Sequence, residues 1–139
     1  MKTAALALLL AAAASAQQAT IKFELFPATG VACPNQDASG NVTSITADLK
    51  AVAVAARNKT PVDKSASNAS SGKCTKMRSI PYYVVLIVCA QTRSYQTNGE
   101  PAGDVYFAYD EKNSTIYFCR ATGPFSTNGS GYPDNCEEY

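Results

Sequence analysis

Ile80-Pro81-Tyr82-Tyr83-Val84-Val85-Leu86-Ile87-Val88-Cys89-Ala90 is the stretch on which the fold turns. It is apolar throughout, rich in β-branched and aromatic residues, and too short for a lone helix without caps, so it reads as a central strand buried on both faces. Downstream, 104–109 and 115–120 flank Asp110-Glu111-Lys112-Asn113, a polar turn between two strands, which predicts a hairpin. Beyond it, 123–135 is rich in Gly and Asn and reads as loop up to Cys136.

Upstream, 58–72 (NKTPVDKSASNASSG) carries no periodicity and reads as an exposed, mobile loop. Before it, Val42, Ile45, Leu49, Val52, Ala53 and Ala56 recur at spacings of three and four, which predicts one helix over 41–57 with Asn41 or Ser44 as N-cap. Ile21, Phe23 and Leu25 alternate with Lys22 and Glu24, the period of a half-buried strand over 19–26. The order strand, helix, long loop, three strands predicts an α+β domain, one helix laid on an antiparallel sheet.

The chain opens MKTAALALLLAAAASA: Lys2, an unbroken apolar run, then Ala14-Ser15-Ala16. That is the pattern of a secretory signal peptide over 1–16, cut after Ala16, with 17–139 as a single mature domain. No later stretch approaches the roughly 20 apolar residues of a membrane span. Without Lys2 the twelve Lys and Arg become eleven, equal to the eleven Asp and Glu, so no global basic field draws the mature chain to nucleic acid. All five cysteines (Cys33, Cys74, Cys89, Cys119, Cys136) lie in that part, where export would let disulfides form and the odd count leaves at least one unpaired. Five Asn-x-Ser/Thr sequons, at Asn41, Asn58, Asn68, Asn113 and Asn128, are glycosylation candidates.

There is no histidine. The chain therefore lacks the usual general acid or base near neutral pH and the commonest zinc ligand, which excludes Ser-His and Cys-His nucleophile pairs. No Cys-x-x-Cys, P-loop or Gly-x-Gly-x-x-Gly occurs, so no metal site or cofactor is expected. Two carboxylate pairs remain, Asp110 with Glu111 and Glu137 with Glu138. One falls in the hairpin turn and the other near the last residue, where solvent keeps both ionised. Lys73, Lys76 and Arg78 precede Tyr82 and Tyr83, and Arg93 and Arg120 can join them in the fold. Cations interleaved with aromatics can track a phosphate backbone while stacking bases; the same residues also suit a strand edge guarded by charge.

From Ile80 to Cys136 the chain resembles the small secreted fungal guanyl-specific ribonucleases. Pro81-Tyr82-Tyr83-Val84 stands where that family has Pro-Tyr-Tyr-Glu. Gly103-Asp104-Val105-Tyr106-Phe107 stands for its Asp/Arg-Val-Val-Phe strand, Ala121-Thr122-Gly123 for His-Thr-Gly, and Cys136 for the final Cys. The resemblance implies the ribonuclease fold and, carried over by position, puts the family's base glutamate at Val84, its acid histidine at Ala121 and its arginine at Asp104 or Val105. Its second histidine has no counterpart. Cleavage by the 2′-hydroxyl needs a proton acceptor and a proton donor on opposite sides of the phosphate, and none of these positions supplies one.

A ribonuclease frame without its catalytic set, behind a signal peptide, is similar to the ribonuclease-like effectors that plant-pathogenic fungi secrete at haustoria. That likeness implies a non-enzymatic, monomeric virulence protein acting outside the fungus or inside host cells. It would bind host RNA or a host protein through Lys73, Lys76, Arg78, Tyr82, Tyr83 and Arg120, and a disulfide would join Cys33, here in Val31-Ala32-Cys33 without the subgroup's aromatic, to Cys136. Cys74 pairs with Cys89 or Cys119 on this reading. Two alternatives stand beside it: a divergent ribonuclease using Asp104 with Arg120, and an apoplastic structural or antimicrobial protein.

Overall fold

The computed structural model describes residues 20–34, 41–86, 103–124 and 134–139, without the side chains of Asn41 and Val42. Residues 1–16, expected to be a signal peptide, the end of the apolar run from Ile87 to Ala90, Arg93, Asn128 and most of 123–135 lie outside the described residues.

The chain is α+β. Its elements are β1 (Lys22–Glu24), β2 (Gly30–Pro34), β3 (Asn41–Ile45), α1 (Thr46–Ala56), β4 (Tyr82–Leu86), β5 (Asp104–Asp110), β6 (Thr115–Thr122) and β7 (Glu137–Glu138). One sheet has the order β1-β6-β5-β4 and a smaller one β3-β2-β7. The hairpin of β5 and β6 forms as predicted, Asp110 opposite Thr115. Asp110 closes its turn by accepting the Asn113 N–H and side-chain amide at 3.2 and 2.6 Å.

Four expectations change. The predicted helix loses its first turn: 41–45 pairs with β2 instead, Asn41 opposite Pro34 and Ile45 opposite Gly30. Val42, Thr43 and Ile45 are β-branched and stiff in a helix, and an adjacent strand satisfies their backbone. Neither Asn41 nor Ser44 caps α1; Ile45 holds the N-cap place without a side-chain bond, while Thr46 N–H donates to Thr29 O at 2.8 Å and its hydroxyl to Pro27 O at 2.7 Å. The sheet is mixed rather than antiparallel, because β1 runs parallel to β6. Among the described residues the stretch that reads as the central strand lies at the end of its sheet, with β5 and β6 in the middle. Burial declines along it, from Tyr82 at 6% exposed to Leu86 at 48%.

The fourth concerns 58–72. It is loop apart from one 3-10 turn at Ala66–Asn68, yet it is packed: Ala66 is fully buried. Side chains do what periodicity does elsewhere. The Asp63 carboxylate accepts Ser65 N–H at 2.8 Å and the Asn68 amide at 2.9 Å, and these bonds hold its pKa below the ordinary aspartate value. Ser65 Oγ accepts Ser79 N–H at 2.9 Å, and Asp63 bridges Tyr82 in β4.

Both faces of the larger sheet are therefore covered. Tyr83, Val105, Phe107, Ile116, Phe118 and Ala121 pack with Leu49, Ala53 and Ala56 of α1 and with Val31 and Cys33 of β2. The helix offers mostly alanine there, which lets it approach closely, and burying a side chain such as Phe107 or Phe118 contributes about 1.5–3 kcal/mol. On the other face Tyr82, Ala108 and Cys119 pack against Ala66 and Cys74 of the loop segment. Two disulfides tie the layers: Cys33–Cys136, closing a separation of 103 residues, and Cys74–Cys119, closing 45. In the chain-entropy model these contribute about 4.7 and 4 kcal/mol.

Candidate binding face

The geometry of the outer sheet face is set by a single extra residue. Tyr106 lies opposite Arg120 while its neighbour Phe107 lies opposite Phe118, so Cys119 is a bulge. Strand side chains alternate between faces, and one inserted residue reverses the alternation beyond it. Arg120 thus turns outward beside Tyr106, and Ala121 turns inward beside Val105 into the helix-side core.

Among the positions carried over from the ribonucleases, Val84 stands opposite Tyr106 and Asp104 opposite Leu86 and Thr122, all on the outer face. Ala121 stands on the other face, with Val105 and Val85. The structure brings Val84 and Asp104 to one side and does not bring Ala121 to them. Burial raises the Asp104 carboxyl above the usual aspartate value, and no neighbouring cation contributes to that shift. Asp104 and Arg120 are not an ion pair.

Arg120 is held on two sides. Its guanidinium carbon sits 4.1 Å from the centre of the Tyr106 ring and one Nη donates to Ser71 Oγ at 2.8 Å. Its Nε is buried without a hydrogen-bond partner, as are the hydroxyls of Tyr82 and Thr122. Burial pushes the Tyr82 phenol up, and the adjacent Arg120 charge draws it partly back. Tyr82 stacks on Tyr106, ring centres 5.9 Å apart. Of this cluster only the half-buried Arg120 brings a positive charge to the surface, and among the described residues no carboxylate pairs with it, which suits an anionic group on a partner.

The other predicted binding residues scatter. Tyr83 faces the helix and stacks on Phe107 at 4.9 Å; at 8% exposed it offers no free face to a base. Lys73 is committed: its ammonium pairs with Glu138, donates to Leu25 O at 2.9 Å and lies over the Phe118 ring. Lys76 and Arg78 are exposed. Sequence reasoning found Arg120 and Tyr82 but missed Ser71 and Tyr106; Ser71 lies 49 residues from Arg120 in the chain, and no local pattern signals that contact.

At the far end of the sheet a cleft of about 480 Å³ opens between the end of α1 (Arg57, Asn58), Tyr83, Tyr109 and the hairpin turn (Glu111, Lys112). Burial, helped by the Glu111 carboxylate, raises the Tyr83 phenol. Among the described residues no cluster of Cys, Asp and Glu could hold a metal ion, and no helix is long and apolar enough to cross a membrane.

No family model, no curated protein and no solved structure matches this chain.

Proposed function

We propose that this chain is a secreted, non-catalytic binding protein, a fungal effector that engages a host protein during plant infection. One observation carries the reading: the outer face that would hold the chemistry presents an anchored guanidinium, Arg120, with no proton donor and acceptor set across from one another. Val84 is aliphatic, and Asp104 is a lone carboxyl away from Arg120. A guanidinium is a permanent cation, a group that holds an anion and does not shuttle a proton. The buried bridges suit an exported chain.

A protein partner is favoured over RNA by the covered rings. Tyr82 and Tyr83 point to opposite sheet faces and are both buried, so they cannot stack successive bases, and Lys73 is neutralised by Glu138. Purified protein is incubated with a guanosine-rich RNA and, separately, titrated with labelled RNA at rising salt. No turnover above a heat-killed control, with retention that vanishes by physiological salt, is expected. Turnover sinks the non-catalytic reading. Tight RNA binding at physiological salt that is lost in Arg120→Met moves the partner from protein to RNA.

A further inference from the structure

We infer that Asn58 carries an N-linked glycan whose first N-acetylglucosamine lodges in the cleft between the end of α1 and the hairpin turn. The inference rests on the export reading above, since only an exported chain meets the transferase. Three of the five sequons have described side chains, and they differ in what the amide is doing. The Asn68 amide donates to Asp63 and holds the 3-10 turn. The Asn113 amide donates to Asp110 and closes the hairpin. Asn58 makes neither kind of bond: it follows the C-cap Arg57 of α1, and Asn58, Lys59 and Thr60, the whole sequon, are exposed.

The second observation is the space beside it. Asn58 is itself a wall of the 480 Å³ cleft, along with Tyr83 and Tyr109. A pyranose ring has one face of C–H groups that packs on an aromatic ring and a rim of hydroxyls that hydrogen-bond to charged groups. Tyr109, which is only partly buried, supplies the first, and Glu111 and Lys112 the second. In the covalent step the Asn58 amide nitrogen attacks C1 of a lipid-linked diphospho-oligosaccharide. The Nδ2–C1 bond forms, the C1–O bond to the diphosphate breaks, the lipid diphosphate leaves, and the amide gives up one proton and keeps the other.

The test is secretion of the full chain from yeast, once with its own leader and once behind a yeast leader, followed by peptide mass spectrometry of each sequon. One oligosaccharide mass on the Asn58 peptide, absent in Asn58→Gln, with Asn68 and Asn113 largely unmodified, is expected. Failure to reach the medium only with its own leader counts against the export reading, while the yeast-leader arm still reads the glycan. An unmodified Asn58 on secreted protein overturns the inference. Lodging in the cleft is read separately by hydroxyl-radical footprinting: Tyr109 should be protected in the glycosylated protein and lose that protection in Asn58→Gln. Equal labelling of the two proteins refutes it.

Discussion

Arg120 is held from two parts of the chain at once, the Tyr106 ring on β5 and the Ser71 hydroxyl in the loop, and lies beside the Tyr82 phenol on β4. Its charge stabilises the tyrosinate of Tyr82 against burial. Arg120→Met should therefore raise the Tyr82 phenol pKa further, visible as a later tyrosine step in an ultraviolet titration; an unchanged step would show that the two groups do not interact. Asp104 works in the opposite sense to a salt-bridged carboxylate. Its folded pKa lies above the unfolded value of 3.8, so the native state favours its neutral form, and ionisation weakens the fold as pH rises through the folded pKa. Asp104→Asn should raise the melting temperature at pH 7, and the gain should fade as pH falls below the ordinary aspartate value. A gain that persists in acid would point to a packing effect instead.

At the scale of elements, β5 begins where only glycine fits. Gly103 has φ +123°, and a Cβ there would lie 1.9 Å from the carbonyl oxygen of Thr122. Gly103→Ala should destabilise by about 1–3 kcal/mol, read as a lower denaturant midpoint with unchanged slope. The β5–β6 hairpin was legible because its signals are local: two runs of strand formers and a turn closed by Asp110 and Asn113. Strands β2 and β7 were not legible, being five and two residues long and defined by partners far away in the chain. The spacing of Val42, Ile45 and Leu49 fits a helix face, and only pairing with β2 decides that 41–45 is extended. The site was half legible. Residue type singled out Arg120, but the bulge at Cys119 decides which way it faces, and strict alternation along β6 would put Arg120 inside and Ala121 outside. A one-residue irregularity leaves no mark in composition or periodicity.

Across the whole molecule the sulfurs are unequally sheltered. Cys33, Cys74 and Cys119 are essentially sealed from solvent, whereas Cys136 is partly exposed. Thiol exchange needs a thiolate to reach a sulfur along the bond. In glutathione the Cys33–Cys136 bridge should open first, through Cys136, and Cys74–Cys119 should follow only as fast as the fold opens. Timed alkylation and mass spectrometry resolve the order, and simultaneous loss of both bridges would contradict it. On the reading proposed above, in which the chain leaves one cell and enters another, the sealed bridge would work as a clock: in a reducing cytosol its working life is fixed by how rarely the outer layer lifts from the sheet, whatever the concentration of reductant around it.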